Sequence, residues 1–555
     1  VAARLRSLST SIAGWHGDER TVGTPLGDAE LVALRRTRLF GATGTVLMAI
    51  GALGAGARPV VQDPTFGVRL LNLPSRIQTV SLTMTTTGAV MMALAWLMLG
   101  RFALGERRMT RSQLDRTLVL WILPLLVAPP MYSKDVYSYL AQSQIAHNGQ
   151  DPYRVGPAPG LGLDHVFTLS VPSLWRETPA PYGPLFLWIG SGISELTGEN
   201  IVAAVLCHRL LVLLGVALIV WATPRLARRC GVAEVSALWL GAANPLLVMH
   251  LVAGIHNEAL MLGLMLAGVE FALRGIDSSR RLLPRPLLPL GARWGPAAML
   301  VLGAVLITMS SQVKLPSLLA LGFVAMALGH RWGSTVKAFF LASGGLGLLS
   351  LGVMAVIGWA SGLGFGWLST LGTANVVRSW MSPPTLLALG TGQVGILLGL
   401  GDHTTAVLSL TRSIGVLIIM VVVTWLLLAV FRGRLHPVGG LGVALGATVL
   451  LFPVVQPWYL LWAIIPLAAW ATRPGFRIAA IGGTLVVGIF GPTANGDRFA
   501  LFQIIDATLA STVIVLLLIA ITYHRLPWRA LPHGATSSTP ANSRNGPTDA
   551  YAESP

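Results

Sequence analysis

Charge and cysteine are what this chain has least of. Only 11% of its 555 residues are Asp, Glu, Lys or Arg, against about 25% in a soluble protein. So few charges cannot cover a water-facing surface of this size. There are two cysteines, Cys207 in an apolar run and Cys230 in a basic one. Neither a disulfide nor a cysteine metal cluster is expected from that placement. No Asp-x-Asp triplet occurs and nothing reads as a nucleotide-binding loop. Residues 1–38 are polar and lack a short apolar stretch with a small-residue cleavage site, so no removable signal peptide is expected.

What the chain has in abundance is apolar residues, 54% of the total. They come in long runs: Ile201–Trp221, Ser334–Ala360 and Leu408–Phe431 each reach the ~20 residues that cross a bilayer as a helix. The runs do not alternate and are too long for barrel strands, so the expected fold is an all-α, polytopic membrane protein. Fourteen spans are expected, at about 39–57, 78–100, 114–130, 201–221, 233–252, 257–273, 295–311, 315–330, 336–358, 406–430, 437–455, 457–471, 475–491 and 501–523. The net charge of +17 follows the same alternation: 28 of the 39 Lys and Arg fall on the side of the two termini and 9 on the other. The positive-inside rule then puts both termini in the cytoplasm of a plasma membrane protein. The basic excess is topological, and no nucleic-acid partner is expected. The domain reading is a cytoplasmic segment 1–38, a transmembrane domain 39–523 and a disordered, Ser/Pro-rich tail 524–555.

Pro184–Leu196 is apolar but short. If it crossed, Arg225, Arg228 and Arg229 would move outside, so it is expected to lie along the outer surface. Two outer segments are then unusually long, 131–200 and 361–405. Connections of this length are usually functional.

In the first of them, Pro129-Pro130 stop the third span, and Ser133 is the expected N-cap of a helix that Asn148-Gly149 end after His147. Asp135 falls in the first turn, beside Lys134, and the helix dipole and the lysine both complement a carboxylate there. Such a group near the membrane surface can accept a proton from an attacking hydroxyl. The plainer alternative is a solvated carboxylate that only complements the dipole. Outer-face cations are Lys134, Arg154, Arg176, Lys314, Arg378 and Arg498. Arg209, Arg412 and Asp506 fall inside spans, five to nine residues from the outer end, or roughly 8–14 Å deep at 1.5 Å per residue. Buried charges at that depth suggest either a lipid-phosphate site or a structural Arg–Asp pair.

The motifs Ser133-Lys-Asp-Val-Tyr-Ser-Tyr-Leu140, Asp151-Pro-Tyr153, Ala180-Pro-Tyr-Gly-Pro184, Gly254-Ile-His-Asn-Glu258 and Gln456-Pro-Trp-Tyr459 resemble those of GT-C glycosyltransferases. They are most similar to the mycobacterial polyprenol-phosphomannose-dependent α-(1→6)-mannopyranosyltransferases of the B type, from about Arg38 to Trp528. The resemblance implies a GT-C fold and an outer-face site. The implied donor is mannose on a polyprenyl monophosphate. The acceptor is the 6-hydroxyl of a mannosylated glycolipid leading to lipomannan and lipoarabinomannan. It also implies inversion at the anomeric carbon, with Asp135 as the catalytic base. The leaving phosphate needs cations, and Lys314, Arg378, Arg209 and Arg412 are the candidates. Tyr137, Tyr139, Tyr182, His256, Asn257, Glu258, Trp380, Trp458 and Tyr459 are candidates for sugar and acceptor binding. Each of these cations and tyrosines has a plainer reading as an interfacial anchor. His256 with Glu258 makes only one pair of metal-type ligands, so no metal or other cofactor is assigned, with a divalent ion left open. The rival readings are a lipid-linked sugar transporter or flippase, which would carry polar residues near mid-membrane and a repeated half, and a non-catalytic scaffold.

Overall fold

A computed structural model describes residues 10–19, 23–278, 290–373, 377–490 and 499–528. Arg498, part of the basic 274–294 segment and the tail beyond 528 lie outside the described residues. The described chain is almost wholly helical; its one pairing of strands is the two-residue contact of Thr24–Pro25 with Arg107–Arg108. Seven helices are long and apolar enough to cross a membrane: Asp28–Ala55, Gln78–Leu104, Ile201–Arg229, Glu258–Ser278, Val336–Ser361, Thr404–Phe431 and Leu501–Thr522. Shorter apolar helices fill other expected positions, among them Pro437–Leu451 and Pro474–Phe490.

Several boundaries differ from expectation for visible reasons. The first helix begins at Asp28, because Glu30 accepts from the Gly27 N–H and the polar first turns tolerate helix. The third span is regular only over Arg111–Ile122, opened by a Thr110/Gln113 capping box; Pro124 turns the rest into a 3-10 segment, Leu123–Leu126. The fifth is broken. An α-helical stretch, Glu234–Leu240, is followed by a π-helical one, Leu247–Ala253, and the buried Asn244 between them accepts from Leu246 N–H and donates to Thr484. Residues 524–528, expected in the disordered tail, are packed: Arg101 donates to the Trp528 carbonyl and the Trp528 ring meets Phe40 edge-on.

The connecting segments gather into two sets. Glu19 pairs with Arg477 and its N–H reaches the Gly231 carbonyl, so segments expected inside meet one another. Gln62 bonds Glu199 and Ile201, and Val60 N–H donates to Ser170, so segments expected outside do likewise.

Helices in lipid gain little from apolar burial and associate through close backbone approach. The chain does this with facing glycines. A Cβ on Gly44 would stand 2.7 Å from the Gly88 carbonyl, one on Gly263 2.5 Å from that of Gly215, and one on Gly303 2.5 Å from that of Gly268. The first joins Asp28–Ala55 to Gln78–Leu104; the other two pack Ile201–Arg229 and Leu290–Ser311 against Glu258–Ser278, of which 83% of the apolar window is buried. Gly263→Leu should therefore lower stability by about 1–3 kcal/mol, the usual cost of overpacking. Gly347→Leu, which meets nothing within 4 Å, should leave it unchanged. Thermal unfolding of the detergent-purified protein reads both.

Candidate active site

Three irregular segments meet at one end of the bundle. The first is Pro129–Lys134. Tyr132 takes a left-handed φ of 64°, unusual for a residue with a Cβ. That reversal turns the chain from the end of the third span into the helix Asp135–His147. Met131 N–H donates to the Ala253 carbonyl, Ala57 N–H to that of Pro130, and the Tyr137 hydroxyl to that of Ala57 at 2.6 Å. Lys134 occupies the N-cap position expected for Ser133, whose hydroxyl instead accepts from the Asp135 N–H at 3.0 Å. The second segment is the turn Gly254–Asn257, where Ile255 is also left-handed at φ 57°. The third is Phe452–Tyr459. Ser379, Ser382 and Thr385 of the second long loop donate to the carbonyls of Val455, Phe452 and Pro453, fastening that loop over the site.

The first and third of these segments and the two long loops line a cavity of about 610 Å³. Asp135 lies in its wall with Lys134, Arg176 and Arg378. Trp175, Trp380 and Trp458 supply flat apolar faces. The site thus holds one carboxylate, three cations and aromatic platforms in a single space. Chemically it can accept a proton at the carboxylate, hold an anion on the cations and stack a sugar.

Behind Trp458 lies a second layer. His256 is fully buried, stacks on the Trp458 indole at 3.6 Å between centroids, and faces Asp135 with Nε2 3.6 Å from Oδ2. Beyond it, the Lys314 ammonium bonds the buried Glu258 carboxylate, donates to the Tyr459 hydroxyl at 3.0 Å and lies over that ring. Burial pulls the Lys314 pKa down, but the Glu258 carboxylate outweighs it and the net shift is upward. Tyr139 and Tyr182 meet edge-on at 5.1 Å beside Phe186, and burial raises both phenols well above their ordinary value.

A family model described as "Alpha-(1->6)-mannopyranosyltransferase, N-terminal domain" matches residues 38–330, and one described as "MptB C-terminal domain" matches 384–520. A probable α-(1→6)-mannopyranosyltransferase of Mycolicibacterium smegmatis is 80% identical, with all of both chains covered. An α-(1→6)-mannopyranosyltransferase of Mycobacterium tuberculosis is 75% identical, again over all of both. The chain belongs to the α-(1→6)-mannopyranosyltransferase family. A B-type member from Corynebacterium glutamicum is 40% identical over 82% of this chain and 76% of its own. Among solved structures, an archaeal oligosaccharyltransferase of Archaeoglobus fulgidus aligns at a TM-score of 0.34 and 13% identity, over 70% of this chain and 50% of that one.

In this member of the mannopyranosyltransferase family, Asp135, Arg378, Trp380 and Trp458 come together in the cavity wall. His256, Glu258, Lys314 and Tyr459 form the layer behind. Other expected site residues are engaged elsewhere. Tyr137 is buried with its hydroxyl on a main-chain carbonyl. Arg209 is 2% exposed and donates to the carbonyls of Leu126 and Ala128 at 2.5 and 2.7 Å. Arg412 donates to those of Val377 and Pro453. Neither guanidinium faces the cavity, and Asp506 is exposed on its own helix. These arginines satisfy irregular backbone, which sequence alone had offered as phosphate contacts or an Arg–Asp pair. Tyr139 and Asn257 are buried, and Tyr182 half-buried, between the Asp135–His147 and Pro184–Thr197 helices and the turn at 254–257. Asp151 caps its own turn through Tyr153 N–H and pairs with Arg154.

Two contributors were not singled out from sequence. Trp175 stands beside Arg176 between prolines in the first long loop, and that pairing was its only signal. His250, packed against Tyr132, His256 and Trp458, is a lone imidazole in an apolar run, itself a mark of function in a span.

The buried Lys314–Glu258 pair makes a prediction. Lys314→Met leaves a buried carboxylate unpaired and should destabilise the protein by about 3–5 kcal/mol. Adding Glu258→Gln should recover most of that. Thermal unfolding of the single and double variants reads the difference.

Proposed function

We propose that this chain is an inverting mannosyltransferase acting at the extracytoplasmic face. It would move mannose from a polyprenyl monophosphate to the 6-hydroxyl of an α-(1→6)-mannan glycolipid. The observation that carries this reading is the convergence of Asp135 with Lys134, Arg176 and Arg378 on one cavity. An in-line displacement needs a base behind the attacking oxygen and positive charge at the departing phosphate. Asp135 is the one carboxylate in the cavity wall among the described residues, and its side chain is 29% exposed. Arg378 replaces Lys314 as the favoured phosphate contact, because Lys314 is committed to Glu258. Tryptophan faces at 175, 380 and 458 suit stacked mannose rings. The fourteen-span arrangement, with the 131–200 and 361–405 segments outside, completes the proposal. With that arrangement the cavity would lie where a lipid phosphate meets the outer leaflet.

Asp135→Asn keeps the size of the side chain and removes its basicity. Turnover should fall by about 10²–10⁴-fold with donor affinity little changed. Near-normal turnover would remove Asp135 as the base. Arg378→Ala should instead weaken donor binding by about 1.5–3 kcal/mol while the fold is kept. Both are read with radiolabelled polyprenyl phosphomannose and short α-(1→6)-mannoside acceptors. For orientation, Cys207 and Cys230 are replaced and single cysteines placed at Ser173 and Arg434. An impermeant reagent applied to intact cells should label the first and spare the second; the reverse pattern would sink the outer-face assignment.

A further inference from the structure

We propose that His256 is a positioning residue for Asp135 and the group to which Asp135 passes the acceptor's proton, a reading that rests on Asp135 being the base. His256 Nδ1 lies 2.7 Å from the His250 carbonyl. A carbonyl can only accept, so Nδ1 carries the hydrogen, and Nε2 is the nitrogen that gains or loses a proton. Nε2 is buried, has no hydrogen-bond partner among the described residues, and lies 3.6 Å from Asp135 Oδ2. Two bare acceptors at that distance repel. A proton on either one turns the contact into a charge-assisted hydrogen bond.

The imidazole is held in place from several sides. Its ring lies on Trp458, tilted by 27°. Its backbone follows the left-handed Ile255 and donates to the Leu251 carbonyl. It does not line the cavity, so a direct sugar contact, the role expected from sequence, does not fit its placement. The charged and titratable groups around it are Asp135, the His250 ring at 6.3 Å, and Glu258, whose charge is already matched by Lys314.

The step balances without a further reagent. The acceptor oxygen forms its bond to the anomeric carbon as the bond from that carbon to the phosphate oxygen breaks, and the electron pair leaves on the phosphate. The acceptor's O–H bond breaks to Asp135. The proton then moves from Oδ2 to Nε2, which leaves a carboxylate beside an imidazolium. Asp135 is reached by solvent, so the proton returns through it to water and both groups reset.

The test uses the full-length protein in lipid nanodiscs. His256→Asn retains an amide able to donate to the His250 carbonyl and has nothing at the Nε2 position. His256→Gln places an amide near Nε2 that cannot accept the proton, and serves if the first variant folds poorly. Single-turnover rates should fall about 10²-fold with donor affinity unchanged. In an Asp135→Asn background, adding either substitution should cost nothing further, as for groups that act as a unit. A wild-type rate in the single variants, a loss that falls on donor affinity, or the same fold-loss in the Asp135→Asn background would each overturn the role of His256. Those results leave the base assignment standing if Asp135→Asn alone is slow. Near-normal turnover in Asp135→Asn alone would instead remove the parent reading.

Discussion

Backbone hydrogen bonds that have no water to fall back on shape this molecule. A regular helix satisfies its own N–H and C=O groups inside a bilayer, and irregular chain does not. The site is nonetheless built from irregular chain at 123–134, 247–257 and 452–459. Several carbonyls freed there, and that of Val377 in the loop over the site, have side-chain donors. Arg209 serves Leu126 and Ala128, Arg412 serves Val377 and Pro453, and the hydroxyls of Ser379, Ser382 and Thr385 serve Val455, Phe452 and Pro453. The arginines deep in the spans are the cost of unwinding helices to make a cavity.

That scaffold fixes a graded site. The outer layer of carboxylate, cations and indoles is open to the cavity. The inner layer of His256, Glu258, Lys314 and Tyr459 is largely buried, with Lys314 paired to Glu258. Trp458 is the wall between them, lining the cavity with one side and stacking on His256 with the other. A largely buried inner layer strengthens each electrostatic contact and leaves side chains little freedom, so the Asp135 carboxylate works against a fixed background.

A membrane glycosyltransferase needs polar chemistry beside an apolar bilayer. The structure gathers the carboxylate, cations and indoles of the cavity at one end of the bundle and packs several helices through facing glycines. The Gly215/Gly263 and Gly268/Gly303 contacts hold Glu258–Ser278 tightly, and Glu258 stands at the head of that helix. The rigidity of the helix is thereby delivered to the inner layer of the site.

The sequence alone was enough for the helical membrane class, the position of most helices and the family. Each rests on local information: runs of apolar residues long enough to span, prolines and capping residues at their ends, and short motifs in a set order. Asp135 could be singled out because its signal is also local, a first-turn acid just past Pro129-Pro130. The partners of the polar residues were not legible. Arg209, inside a span, and Lys314, at an outer turn, were both candidates for the phosphate, yet one bonds carbonyls and the other a buried carboxylate. His256 lies 121 positions from Asp135 and Trp458 a further 202 from His256, and no spacing rule relates them. Only the tertiary structure decided those contacts. A buried polar group takes whichever partner the packing brings within about 3 Å, and that choice is made between helices, after each has formed on its own.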